Sequence, residues 1–394
     1  MKSDILFMLE LIASAVYNND IPSPHEDINW DNIYNIASHN SVANIVAYAI
    51  IKGKYDVSDE IKAKFNKKLY ERVAVSENQN AEIKKLLTAF DDNGIDHMPM
   101  KGVILNGLYP SNDMRFMADA DILIKNEQYE KINEIMLELG YVQEEEGPIE
   151  YNYKKPPFVH IELHKYPVAL SSEDLFEYYG DGWKFAKKSD APYRYDFSLE
   201  DHFFYVFTHF VRHYRDAGAG LKSVIDIWLY MKKYPDMDWE YIRKQAKMLN
   251  MEMFLDNLIR LAKVWFEHEP FDEVTSDMTL FILNSGTFGT VKNKMSASSI
   301  RDSKDIENAG KFRYLRFAFP PYRKMKGIFP VLEKLPFLLP FFWIFRVIRF
   351  VLFRRDDFDK HKQLVENVDT KSVNEYDRHM KCVGLDMYNG RKNK

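Results

Sequence analysis

Asp119 and Asp121, two residues apart in Arg115-Phe-Met-Ala-Asp119-Ala-Asp121-Ile-Leu-Ile, are the side chains whose type and spacing best suit chemistry. Side chains alternate along a strand, so both acids project from one face while Ala120, Ile122 and Ile124 point the other way into a core. Aspartate is a poor strand former, and neighbouring like charges repel unless something neutralises them. Magnesium, held by one or two carboxylates plus a substrate phosphate, meets that need.

A third acid is in reach. In His160-Ile161-Glu162-Leu163-His164 alternation puts Glu162 opposite Val159, Ile161 and Leu163, free to point at the same site as the aspartates. Two-metal phosphoryl chemistry needs acids that hold ions about 3.5–4 Å apart, one beside the attacking oxygen and one beside the leaving group. Asp119 and Asp121 would bridge two Mg2+ ions, and Glu162 would ligand the nucleophile-side ion or take the hydroxyl proton. The plainer reading of Glu162 is a solvated strand residue. Lys101-Gly102 sits where a strand turns into a helix, a position that favours an anion, with Gly102 permitting close approach and Lys101 supplying a point charge for a triphosphate. An ordinary surface turn is the alternative. Arg115 could pair with phosphate or orient an aspartate; a structural ion pair with Asp119 is its other reading.

The elements that must position these residues follow from periodicity. Residues from Ser3 to about Phe90 read as amphipathic helices, with Ile5, Met8, Leu9 and Ile12, then Ile61, Phe65, Leu69 and Val73, at helical spacing. Gly94 to Met100 reads as a strand, Gly102 to Leu108 as a helix, and the Asp119/Asp121 strand follows. Asn126 is read as the cap of a helix that runs to Leu139 and ends at Gly140. Tyr141-Val142 and Phe158–His164 read as strands separated by an acidic, Pro-containing turn region. Helices resume after Ser198, at Leu199, Leu221 to Lys232 and Trp239 to Leu249. The expected organisation is a helical region at 1–90, a core at 91–197, a helical companion domain at 198–300 and a basic, aromatic tail at 301–394. Residues beyond Asp356 read as polar and loosely ordered.

Composition fits a folded chain of two or three domains: 394 residues, 46% apolar, 29% charged and 15% aromatic. A net charge of −5 gives no overall signal for nucleic acid. A single cysteine, Cys382, excludes an internal disulfide framework and fits a reducing compartment, so a cytoplasmic location is expected. The N-terminal run carries Asp4 and Glu10 and no secretory cleavage pattern, and reads as an amphipathic helix.

Lys101-Gly102-Val-Ile-Leu-Asn-Gly-Leu-Tyr109, Arg115-x-x-x-Asp119-x-Asp121-Ile-Leu-Ile, Leu139-Gly140-Tyr141 and Ile161-Glu162-Leu163-His164 together resemble the uncharacterised nucleotidyltransferase family of the DNA polymerase beta superfamily. The resemblance runs from about Val42 to Trp265. It takes in Leu221-Lys222-Ser-Val-Ile-Asp226-Ile, similar to that family's Leu-Arg-x-x-x-Asp-hydrophobic helix. It implies an α+β fold with a mixed sheet of nucleotidyltransferase type, a helical companion domain, and metal-dependent transfer of a nucleoside monophosphate from an NTP to a hydroxyl or phosphate acceptor. Lys101, Gly102, Arg115, Lys222 and Asp226 would then serve nucleotide binding, and His209 resembles a family position that faces the cleft. The Gly-Ser pair common in the superfamily is replaced here by Lys101-Gly102, and Lys222 keeps the charge of the usual arginine without its fork.

His209 and His213 lie on one helix face, but no acid or cysteine at metal-site spacing accompanies them, and packing or a substrate-facing role is the reading. His160 and His164 share the Glu162 face, as structural residues or as contacts to substrate or a carboxylate. In the tail, Lys311, Arg313, Arg316, Arg323, Lys324 and Lys326 have no acid among them, and the aromatic run Leu335–Phe345 leads to Arg346, Arg349, Arg354 and Arg355. Pro336, Pro340 and the arginines argue against a membrane span. The stretch Lys311–Arg355 fits the inner surface of an anionic membrane, a partner's groove, or packing within the chain. Two rivals to a soluble-substrate enzyme remain: a non-catalytic scaffold of this fold in envelope-polysaccharide assembly at the membrane, and a toxin-like transferase that uses the basic stretch on RNA.

Overall fold

The computed structural model describes residues 3–17, 21–144, 146–302, 319, 322, 325, 329, 331–353 and 370–385. The chain forms two compact units, Met1–Arg212 with Ala219–Phe288, and His213–Gly218 with Gly289–Lys394. The first unit holds a mixed sheet among helices, the α+β class expected of the sequence.

Four helices lead in: α1 (Ser3–Tyr17), α2 (Trp30–His39), α3 (Ala43–Gly53) and α4 (Asp59–Asp92). Ser58 caps α4 by accepting from the amide of Ile61, and the helix buries Ile61, Phe65 and Leu69 early and Ile83, Leu86 and Phe90 late. The late set packs against the sheet. Its strands are β1 (His97–Pro99), β2 (Ala120–Ile124), β3 (Val142–Gln143), β4 (Glu150–Lys155) and β5 (Val159–His164), in the order β1-β2-β5-β4-β3. Only β2 and β5 run parallel, and their register sets Asp121 beside Glu162 and Ala120 beside Ile161.

That register sorts the faces. Ala120, Ile122, Ile124, Val159, Ile161 and Leu163 join Ile83, Leu86 and Phe90 of α4 and Ile132 and Met136 of helix α6 (Tyr129–Glu138) in one buried cluster, leaving Asp121 and Glu162 on the opposite face.

Four local expectations are corrected. The turn region between Tyr141 and Phe158 contains β4, which pairs with both β3 and β5; Tyr151 and Tyr153 alternate inward, and their polar neighbours hid the period. The stretch after Lys101 is a four-residue helix α5 (Gly102–Leu105) followed by a 3-10 turn, Asn106–Leu108. Asn126 opens a 3-10 turn, with α6 starting at Tyr129, and its side-chain oxygen accepts from the Tyr151 hydroxyl instead of capping α6. Finally, Thr370–Val383 is a helix that buries Val373, Tyr376, Met380 and Val383 at helical spacing.

Beyond the sheet come α7 (Glu173–Tyr179), the short ribbon β6 (Lys187–Lys188) and β7 (Tyr195–Asp196), and the helices α8 (Leu199–Asp216), α9 (Leu221–Lys233), α10 (Trp239–Met248), α11 (Glu252–Phe266) and α12 (Glu273–Ser285). The α11 helix packs against α1, α9, α10 and α12. The second unit contains α13 (Val291–Asp302), α14 (Val331–Lys334), α15 (Leu339–Phe353) and α16 (Thr370–Val383). There α13 packs on α16, and the Tyr376 hydroxyl reaches the carbonyls of Tyr214 and Arg215. Lys311, Arg313, Arg316, Arg323, Lys324, Lys326, Arg354 and Arg355 lie outside the described residues. Among the described residues, no helix is long and apolar enough to cross a membrane.

Candidate active site

Three segments bring the charged groups together. Antiparallel pairing of Pro99 with Ile122 continues into a bond from the Met100 amide to the Asp121 carbonyl, which brings Lys101 alongside β2. There the Lys101 backbone turns with φ +41°, a left-handed conformation rare for a residue with a side chain, and its ammonium pairs with the buried Asp121 carboxylate. From β5, His164 Nε2 lies 2.8 Å from Asp121 Oδ1 and 3.3 Å from Glu162 Oε2. Ligand atoms of Asp121, Glu162 and His164 all lie within 4.8 Å of one another. Asp119, one residue before β2 begins, is half-buried.

The two aspartates ionise differently. Burial would raise the Asp121 carboxyl, but the Lys101 cation and the His164 hydrogen bond hold it well below the usual carboxylate range. Asp119 is pushed up to about 6 by desolvation and by the charges of Asp121 and Glu162. None of the described ion pairs includes Asp119. The hydrogen bond from His164 lowers Glu162. Burial opposes a charged His164, yet its bonds to Asp121 and Glu162 raise it above the ordinary imidazole value.

Behind the acids lies a second buried charge pair. Arg115 donates to Asp226 on α9 through Nε at 2.8 Å and Nη2 at 3.0 Å, and Asp226 also accepts from the Tyr109 hydroxyl at 2.8 Å. Both charged groups are buried, and the fork geometry satisfies both carboxylate oxygens. The ion pair read for Arg115 with Asp119 is therefore made with Asp226 instead. Lys222, one turn before Asp226, donates to the Phe116 carbonyl at 3.0 Å, and desolvation together with the Arg115 charge draws its ammonium down to about 8. A β-carbon on Gly102 would stand 2.9 Å from Met117 Sδ and 3.0 Å from Arg115 Nη1, so glycine there lets α5 approach this pair.

A cleft of about 450 Å3 opens beside the acids, with Asp119, Glu162, His160, Asn152, Glu144, Phe116 and Phe158 among its lining. Thus Lys101, Asp121, Glu162 and His164 converge, Asp119 and Glu162 share the cleft, and Arg115 and Asp226 bind each other. His209 on α8 lies 3.4 Å from Arg212 Nη2 and is not part of the cleft lining. The contribution of Tyr109 was missed in the sequence; a tyrosine 117 residues from Asp226 carries no local signal of that contact.

A model of the family described as uncharacterised nucleotidyltransferase matches residues 26–267. No curated protein matches the chain. A solution structure of the antibiotic-resistance factor ANT(2'')-Ia is similar at 11% identity over 49% of this chain and all of that one, with a TM-score of 0.32.

Proposed function

The chain belongs to the uncharacterised nucleotidyltransferase family, and from that membership and the acid cluster we propose that it transfers a nucleoside monophosphate from an NTP to a hydroxyl or phosphate acceptor with the help of Mg2+. The observation that carries the metal requirement is Asp119. Asp121 has Lys101 and His164 as direct partners, whereas Asp119 lies in no described ion pair, and burial with the charges of Asp121 and Glu162 outweighs the Lys101 and Lys222 cations, so a bound cation would relieve it. Oxygen donors from Asp119, Asp121 and Glu162 suit a hard cation such as magnesium, two ions in this reading.

Bound metal would offset charge on the reacting phosphate and on the leaving pyrophosphate. The protein's own groups do the rest. Lys101 presents its ammonium at the Asp121 edge of the site, where it can turn to a triphosphate oxygen. Lys222 adds positive charge on the Asp119 side. Arg115 and Asp226, engaged with each other, act on nucleotide binding by fixing the segment that carries Gly102 and Phe116, not by direct contact. In this reading Glu162, which lines the cleft, ligands the ion on the nucleophile side or accepts the proton of an acceptor hydroxyl as its oxygen bonds to the α-phosphorus and pyrophosphate departs. His164 keeps Glu162 and Asp121 in register by bonding to both.

The test is transfer itself. Purified protein with α-labelled NTPs, magnesium and cell lysate as acceptor source should label an acceptor, and Asp119→Asn should lower the rate by at least about a hundredfold. Labelling that is unchanged in Asp119→Asn would remove Asp119 from the chemistry.

A further inference from the structure

From Leu335 to Arg355 the chain carries no aspartate or glutamate, four arginines, six phenylalanines and a tryptophan. Within this stretch α15 places Phe341, Ile344, Phe345 and Ile348 at i, i+3, i+4 and i+7, which is one helix face. All four side chains are turned to solvent, between 44% and 61% exposed, and Phe337 in the preceding turn is 73% exposed. Large apolar side chains grouped on a surface mark an interaction site rather than ordinary scatter.

We propose that α15 and the turn before it form an interfacial anchor that lies on an anionic lipid membrane. Charge decides between occupants. A groove on a partner protein would recognise the apolar face alone and sets no reason to exclude acids over 21 residues, whereas a negatively charged leaflet repels every acid and attracts every arginine. Arg346 and Arg349 fall within the sequence of the same helix, so cationic residues accompany its apolar ones, as an interfacial helix requires. Length fits as well: fifteen helical residues reach only about 22 Å, short of a roughly 30 Å hydrocarbon core, so the helix lies in the interface plane. This inference stands apart from the nucleotidyl-transfer reading, since no residue of the acid site enters it.

Flotation of the full-length protein with vesicles of phosphatidylcholine alone, or with about 30 mol % phosphatidylglycerol, tests it. The protein should float with the anionic vesicles and far less with the neutral ones. The triple substitution Phe337→Ser, Phe341→Ser, Phe345→Ser should cut that binding roughly tenfold or more. Because these side chains are exposed, its melting temperature should match the wild type. Arg346→Gln with Arg349→Gln should weaken binding to anionic vesicles and flatten its salt dependence. Absence of wild-type flotation, equal binding to neutral vesicles, or a concentration-dependent dimer through this face without lipid binding would each overturn the proposal.

Discussion

At the residue scale, two aspartates separated by one alanine ionise differently because their neighbours differ. Asp121 lies between Lys101 and His164, and Asp119 faces Asp121 and Glu162. The shared face of Asp121 and Glu162 was readable in the sequence, because strand alternation is a local rule, whereas Asp119 precedes β2 and the side chain that joins the two acids is His164. The Arg115–Asp226 pair was not, since its partners are 111 residues apart and only the packing of α9 brings them together. This buried pair should be intolerant: Arg115→Lys keeps the charge but loses the fork and leaves Asp226 short of a donor, which should cost about 1–3 kcal/mol in urea unfolding. A loss below about 1 kcal/mol would mean that Tyr109 alone satisfies Asp226. His202 gives a pH-dependent counterpart. Desolvation, aided by the Arg115 charge, draws its imidazole down to about 4, against about 6.5 in an unfolded chain. Above pH 6.5 both states hold it neutral and its contribution is complete. As pH falls towards 4 only the unfolded chain takes up the proton, so stability drops, by about 3 kcal/mol at the end of that range. Comparing urea midpoints at pH 7.5 and 4.5, the wild type should lose more stability than His202→Gln.

At the scale of elements, the site depends on two junctions: the step from β1 into α5, and the parallel register of β2 with β5. That register aligns Asp121 with Glu162 and follows from burying Ala120, Ile122 and Ile161 on α4 and α6. A slip by one residue would turn the acids into the core, so the apolar alternation specifies the site as well as the fold. The strand β4 escaped the sequence reading because Glu150, Asn152 and Lys154 alternate with only two inward tyrosines. The helix α16 was passed over because its apolar residues are sparse, though correctly spaced. The β1-to-α5 junction makes its own prediction. In Gly102→Ala the new methyl meets Met117, which is buried, and Arg115, which Asp226 pins. Destabilisation of about 1–3 kcal/mol should result, and any transfer activity should fall further than folding loss explains because Lys101 moves with α5. Unchanged melting and activity would show that α5 can shift at no cost.

At the scale of the whole molecule, the chain forms two compact units. The first carries the acid cluster on a sheet backed by helices, and the second carries the exposed aromatic face of α15. Family membership establishes a nucleotidyltransferase; the metal and the residues that hold it rest on the charge arrangement around Asp119. Calorimetric titration with a non-hydrolysable NTP analogue, with and without Mg2+, tests that claim most directly. The account predicts magnesium-dependent binding to the wild type that weakens at least about tenfold in Asp119→Asn and in Asp121→Asn, while both variants keep the wild-type fold by circular dichroism. Binding that is indifferent to Mg2+, or equally tight in both variants, would contradict it.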